Sequence, residues 1–157
     1  MPRIITNLWF DTEGEEAAEF YCSIFPNSKI VRKTHYTESG PRETGMVMTV
    51  DFELDGTPFT AINGGPEFKF DEAISLLIEC SDQEEIDHYW DKLTEGGKEV
   101  QCGWLTDKYG LAWQVVPKGI DKVFEDDDPA RADRAMKAML KMVKLDVAAL
   151  KAAADGN

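Results

Sequence analysis

The chain has 157 residues, 43% of them hydrophobic and 30% charged, with 17 Lys and Arg against 30 Asp and Glu and a formal charge of −13 at pH 7. That is the size and apolar content of one ordinary domain or two small half-domains, and it excludes wholesale disorder. The acidity removes the main driving force for binding phosphate backbones or anionic lipid, and the longest apolar run, Ala73 to Ile78 interrupted by Ser75, is far too short to span a membrane.

Ile4 to Phe10 is apolar and rich in strand formers, and it stops at Asp11-Thr12, where cap residues begin. From Glu13 to Phe25 the apolar positions Ala17, Phe20, Tyr21, Ile24 and Phe25 recur every three or four residues, which predicts an amphipathic helix ended by Pro26. Three strands come next, over Lys29–Tyr36, Gly45–Leu54 and Thr57–Asn63, the last two joined by the hairpin dipeptide Asp55-Gly56. The loop Thr37–Thr44 between the first two is long enough to reach over one end of a sheet.

The pattern then restarts. Ile74–Cys80 reads as a strand, Asp82 caps a helix running to about Thr94, and Gly96-Gly97 ends it. Lys98–Cys102, a short piece at Trp104-Leu105 and Ala112–Val116 complete the set. Glu16 to Tyr21 can be laid over Glu84 to Tyr89, and the order strand, helix, three strands occurs twice. In the tail, Asp128-Pro129 starts a helix striped by Met136, Met139, Leu140 and Val143, and a second begins after Asp146 with Val147 and Leu150 inward. The expected fold is therefore α+β, two βαβββ modules forming a cupped mixed β-sheet with a C-terminal helical hairpin, divided as residues 1–66, 67–119 and 120–157.

Cys22, Cys80 and Cys102 stand far apart with no CxxC pair, as expected of thiols in a reducing, cytoplasmic compartment. The segments Leu8-Trp9-Phe10-Asp11, Phe20-Tyr21 through Phe25-Pro26-Asn27-Ser28, and Asn63-Gly64-Gly65-Pro66 with Phe68 and Phe70 carry a further signal. They are continued in order by Gln101-Cys102-Gly103-Trp104, Asp107-Lys108-Tyr109-Gly110 and Trp113 to Pro117. Together they resemble the vicinal-oxygen-chelate superfamily of glyoxalase, bleomycin-resistance and dioxygenase proteins, and within it the PhnB-like branch catalogued as 3-demethylubiquinone-9 3-methyltransferase. The tail around Lys144-Leu145-Asp146 also fits that branch. The resemblance implies modules that enclose a cavity, commonly built in a homodimer, and in metal-using members a divalent ion held by His and Glu from the first and last strands of each module.

The residues at those strands do not supply such ligands. Thr6 or Asn7, Asn63, Ser75 and Gln114 stand where imidazole or carboxylate would be needed, and neutral amides and hydroxyls are poor partners for zinc, nickel or ferrous iron. No metal and no cofactor is expected. His35 and His88 lack an evident oriented partner, and the acidic run Glu125–Asp128 lacks the spaced ligands and central glycine of a calcium loop. Cys102 is either a nucleophile needing a nearby cation or a small residue at a strand end, and Trp9, Trp104 and Trp113 are either core or a stacking surface. The expected ligand-binding set is Trp9, Asn63, Ser75, Cys102, Trp104 and Gln114, around a small neutral or aromatic ligand, with no catalytic residue assigned. The alternatives are methyl transfer to a demethylubiquinone-like quinone, as the family label implies, and a metal-dependent lyase or dioxygenase. Methyl transfer of the usual kind needs a glycine-rich loop after the first strand of a parallel sheet, and Asp11-Thr12-Glu13-Gly14 is not one. Expected partners are the small ligand and a second copy of the chain, with neither nucleic acid nor membrane.

Overall fold

The computed structural model describes residues 1–157. Contacts divide the chain into two compact units, residues 1–70 and 71–157. The architecture is α+β, and each unit contains one βαβββ module.

The first unit runs β1 (Thr6–Phe10), α1 (Gly14–Ile24), β2 (Lys29–His35), β3 (Val47–Leu54) and β4 (Thr57–Asn63). Its sheet has the order β1-β4-β3-β2, with β1 parallel to β4 and the other pairs antiparallel. The period-two alternation of strands puts Leu8, Phe10, Val50, Phe52, Leu54, Phe59 and Ala61 on one buried face. The helix lays Ala17, Tyr21 and Ile24 on that face, and the Tyr21 and Phe52 rings stack with centroids 6.4 Å apart. Asp55 and Gly56 both have positive φ, 47° and 81°, as a tight two-residue hairpin between β3 and β4 requires. The long β2–β3 loop does reach over the sheet end: Arg42 donates to the carbonyl oxygen and the carboxylate of Asp11, beyond β1.

The second unit repeats the plan with β5 (Ser75–Cys80), α2 (Gln83–Thr94), β6 (Lys98–Glu99), β7 (Trp104–Thr106) and β8 (Ala112–Pro117), in the sheet order β5-β8-β7-β6. Asp82 caps α2 by accepting the Glu85 N–H at 2.9 Å. Ile86, Trp90 and Leu93 are buried on the same side as Leu105, Trp113 and Val115, and the Trp90 indole donates to Glu99 beside them. Strand β6 is shorter than its sequence suggests because the chain turns at Cys102 and Gly103, which take φ of 60° and 84°. A Cβ on Gly103 would sit 2.9 Å from the Val115 carbonyl oxygen, so only glycine fits this bend.

The tail belongs to the second unit. The expected hairpin is α4 (Pro129–Met139) and α5 (Val147–Ala154), capped by Asp128 and Asp146, and a short α3 (Ile120–Phe124) that the sequence pattern does not mark precedes it. Gln83 of α2 pins the tail with both ends of its side chain: the amide nitrogen donates to the Leu145 carbonyl and the oxygen accepts the Val147 N–H. Lys144 adds an ion pair to Asp87 at 2.8 Å. No helix is long and apolar enough to cross a membrane.

Candidate functional site

Residues directly opposite one another in a ladder share a face of the sheet. In the second unit the register pairs Trp104 with Gln114, Gln114 with Leu77, and Ser75 with Ala112. Trp104, Gln114, Leu77 and Ser75 therefore lie together on the face away from α2, while Trp113 and Leu105 lie on the helix side. The Gln114 amide donates to the Ser75 hydroxyl at 2.9 Å. Its carbonyl oxygen and second N–H make no bond within the chain, and Leu77 beside it is 52% exposed. An indole, an amide, a hydroxyl and an exposed leucine form a surface suited to a flat, weakly polar molecule.

Cys102 sits in the bend just before Trp104. Its N–H donates to the Met142 carbonyl and that of Gly103 to Val143, so the tail fixes the bend. No cation or imidazole is paired with its sulfur, as a nucleophilic thiolate requires. Burial pushes the Cys80 thiol up to about 12, with Glu85 and Asp82 adding to the effect, which removes it as a nucleophile.

In the first unit Trp9 pairs with Ile62 and lies on the face away from α1, as do Thr49, Asp51 and Thr60. Its ring packs over Gly64, where a Cβ would come within 2.3 Å of the indole, and its N–H donates to the Gly65 carbonyl at 2.9 Å. Phe68 meets the ring edge-on at 5.0 Å. The Asn63-Gly64-Gly65-Pro66 turn thus holds an indole wall in place.

Asn63 is not on that face. It pairs with Phe10 on the α1 side, only 3% exposed, where its oxygen accepts the Gly14 N–H at 2.7 Å and its nitrogen donates to the Val47 carbonyl at 3.1 Å. Both ends of the amide are engaged in holding the helix to the sheet. The polar residue that β4 presents to the other face, beside Ile62, is Thr60, hydrogen-bonded to Asp51 at 2.8 Å, which in turn pairs with Arg32. The Thr34 and Thr49 hydroxyls meet beside them at 2.5 Å. The apolar alternation that identifies β3 gives no weight to this polar set; the intervening positions Thr49, Asp51 and Glu53 are the signal for it in the sequence.

A family model described as 3-demethylubiquinone-9 3-methyltransferase matches residues 2–116. The chain belongs to this family. A PhnB protein from Bacillus cereus, described as a putative 3-demethylubiquinone-9 3-methyltransferase, is 37% identical, with a TM-score of 0.67 over 73% of this chain and 99% of its own. Protein PA1353 from Pseudomonas aeruginosa shares the fold at 17% identity, TM-score 0.62, over 74% of this chain and 98% of that one. The fosfomycin resistance protein FosX from Listeria monocytogenes does so at 11% identity, TM-score 0.54, over 77% and 94%. No curated protein matches the sequence. This family member accordingly has the PhnB-like vicinal-oxygen-chelate fold.

The metal that some proteins of this fold use does not fit these residues. On the faces away from the helices, the end-paired strands carry Asn7 and Trp9, Thr60 and Ile62, Ser75 and Leu77, and Gln114. Glu79 shares the Ser75 face but lies four residues along the strand, about 13 Å away at the usual rise, too far to share an ion with it. No group of three His, Cys, Asp or Glu is placed to hold a metal ion. A divalent cation needs charged or imidazole donors converging on one point, and hydroxyls and primary amides do not replace them. The turn between β1 and α1 is equally unsuited to a nucleotide-type cofactor, since the Gly14 N–H at the helix start is already taken by Asn63.

Proposed function

We propose that this protein binds a small neutral or aromatic molecule without a metal, on the second module's sheet. Trp104 supplies the stacking surface, and Gln114 and Ser75 supply directional hydrogen bonds. Cys102 lies at the margin of this surface, and Trp9 forms a corresponding indole wall on the first module. The observation that carries the reading is the Gln114–Ser75 pair at 2.9 Å beside Trp104. It is a polar but uncharged donor and acceptor set, held in one geometry next to an aromatic edge. Desolvating it costs far less than desolvating a charge, so a neutral ring can displace water from it with a net gain.

The protein is further proposed to act as a cytoplasmic homodimer, a reading supported by its three free cysteines and by the exposed apolar side chains Val31, Phe68, Ile74 and Leu77 on the single chain. The transfer of a methyl group, which the family name carries, would require binding of S-adenosylmethionine.

The test is a titration of the full chain, in excess EDTA, with 1,4-naphthoquinone, read by tryptophan fluorescence. Trp90 and Trp113 are buried, so quenching should come from Trp104 and Trp9. Saturable quenching is expected, weakened roughly tenfold by Gln114→Leu and reduced in amplitude by Trp104→Phe. Binding that appears only after a divalent metal is added, or that is indifferent to Gln114→Leu, would overturn the reading. Calorimetric binding of S-adenosylmethionine would instead support methyl transfer.

A further inference from the structure

The family match ends at residue 116, and residues 117–154, beyond that match, build a cavity of their own. It is a half-open hollow of about 310 Å³ between the end of β8, α3, α4 and α5. Ile120, Val123, Val147 and Leu150 give it an apolar lining. The space exists because α5 is nearly all alanine after Leu150, and Ala154 faces the cavity where a longer side chain would fill it.

The charges around this lining are unlike those of the rest of the chain. Lys118, Lys122, Lys151 and Arg131 border it, against a single acid, Asp126. Arg131 and Asp126 neutralise each other at 3.0 Å, and the second arm of the guanidinium is held by Asp155 at 2.7 Å. The Asp128 N–H and Arg131 hold the Asp126 carboxyl below the usual carboxylate range, so that pair stays ionised and closed. None of the chain's ion pairs involves any of the three lysines. Asp121, on the same short helix as Lys122, is exposed and does not line the cavity. Set against Asp126 and Asp155, the three lysines and Arg131 keep a positive excess of two charges around one apolar hollow, a local field opposite in sign to the net charge of −13.

We propose that this tail cavity binds a small carboxylate with an apolar body, the carboxylate meeting Lys118, Lys122 and Lys151 and the body lying against Ile120, Val123, Val147 and Leu150. A hollow of about 310 Å³ has room for the body of a medium-chain fatty carboxylate or an arylalkanoate. A phosphate or sulfate would find the charge but leave the apolar lining wet. An anionic bilayer would need a protruding apolar face, and the overall acidity would repel it. The site stands apart from the uncharged surface on the second module's sheet, and its test uses a different readout.

The experiment is an amide NMR titration of the isotope-labelled full chain with sodium octanoate, and with 1-octanol as its neutral counterpart. Octanoate is expected to shift the Ile120, Val147 and Leu150 amides saturably and to bind roughly tenfold or more tightly than octanol. Added salt should weaken octanoate and leave octanol unchanged, because only the former relies on screened charge. The double reversal Lys122→Glu with Lys151→Glu, both at exposed positions, should abolish the preference for octanoate. Reversal of Lys137 and Lys141, which lie outside the cavity, should not. Equal affinity for octanol and octanoate, shifts confined to other regions, or insensitivity to the double reversal would overturn the proposal. So would binding to anionic phosphatidylserine vesicles that octanoate fails to displace.

Discussion

Replacing Asn63 by leucine, which keeps the branching at Cγ but is larger and makes no hydrogen bonds, tests the helix-anchoring role of the buried amide. Helix α1 starts without a side-chain cap of its own, since Glu13 makes none, and the Asn63 oxygen meets the Gly14 N–H instead. Gly14 is buried, so in N63L its N–H loses its partner without gaining water, and the half-buried Val47 carbonyl loses the Asn63 nitrogen. An unsatisfied buried group costs about 1–3 kcal/mol, and the Val47 carbonyl recovers part of its loss from solvent, which places the total at about 2–4 kcal/mol. That is a large part of the ~5–15 kcal/mol that holds a domain of this kind together. Urea unfolding followed by circular dichroism should show the midpoint lowered and the slope unchanged. N63D refines the test, because it keeps the acceptor for Gly14 but turns an oxygen toward the Val47 carbonyl. Burial and that carbonyl oppose ionisation, so the N63D carboxyl should hold its proton more tightly folded than at its unfolded value of about 3.9. A raised folded value means the folded state binds more protons in that window, so N63D should gain stability as pH falls toward 4, whereas the N63L deficit stays constant. An N63L loss below about 1 kcal/mol, or an N63D deficit that does not narrow on acidification, would refute the role assigned to Asn63.

Asp107, 2% exposed, accepts the Tyr109 and Leu111 N–H groups on one oxygen and the Trp113 indole N–H on the other, at 2.9–3.1 Å. Asp107→Asn keeps the shape but turns one acceptor into a donor, so a loss of about 2–4 kcal/mol in urea titration is expected, with the Trp113 emission altered; unchanged stability would refute it. With its thiol pushed up to about 12 by burial, Cys80 should resist iodoacetamide at neutral pH until the chain unfolds, and rapid alkylation of all three cysteines in the native protein would contradict that. Gln83→Ala should release the tail from α2 and speed limited proteolysis after residue 140, with no change in cleavage counting against the anchor. The Asp87 carboxyl, held low first by its bond to Lys144 and then by Gln83, should keep its contribution above the ordinary carboxylate value and lose it as pH falls through the lowered one, so acid should loosen the same segment in hydrogen exchange.

The two modules are legible because strands of period two and helices of period three to four alternate in the same order twice, and the hairpin and cap residues at Asp55-Gly56, Asp82, Asp128 and Asp146 mark the boundaries. Which face a polar residue takes is less legible. Gln114 and Asn63 are comparable residues, each an amide on the strand paired with a module's first strand. Yet Gln114 lies away from its helix and Asn63 lies against its own. A shift of one residue exchanges the faces, and an amide is compatible with both, because Asn can either meet a ligand or satisfy a buried backbone N–H. Apolar neighbours decide the matter: Phe59 and Ala61 alternate with Thr60 and Ile62, and Asn63 follows the parity of the buried pair. The tail cavity is not legible at all, since it depends on how far the alanines of α5 stand from α3, a distance that no local pattern encodes.

The overall charge conceals two opposite environments. Many of the acids serve helix starts, as Glu15 and Glu16 on α1 and Glu84 and Glu85 on α2 do, where the macrodipole favours them. The polar groups at Trp104, Ser75 and Gln114 are uncharged, with Glu79 about 13 Å along the strand, while the tail cavity concentrates three lysines that make no ion pair. Selection at the first surface then rests on shape, stacking and neutral hydrogen bonds, which salt does not screen. Selection at the second rests on a field whose reach contracts to ~3 Å at molar salt. A neutral ring and a small carboxylate should therefore bind independently, and raising the ionic strength should separate them by weakening only the latter.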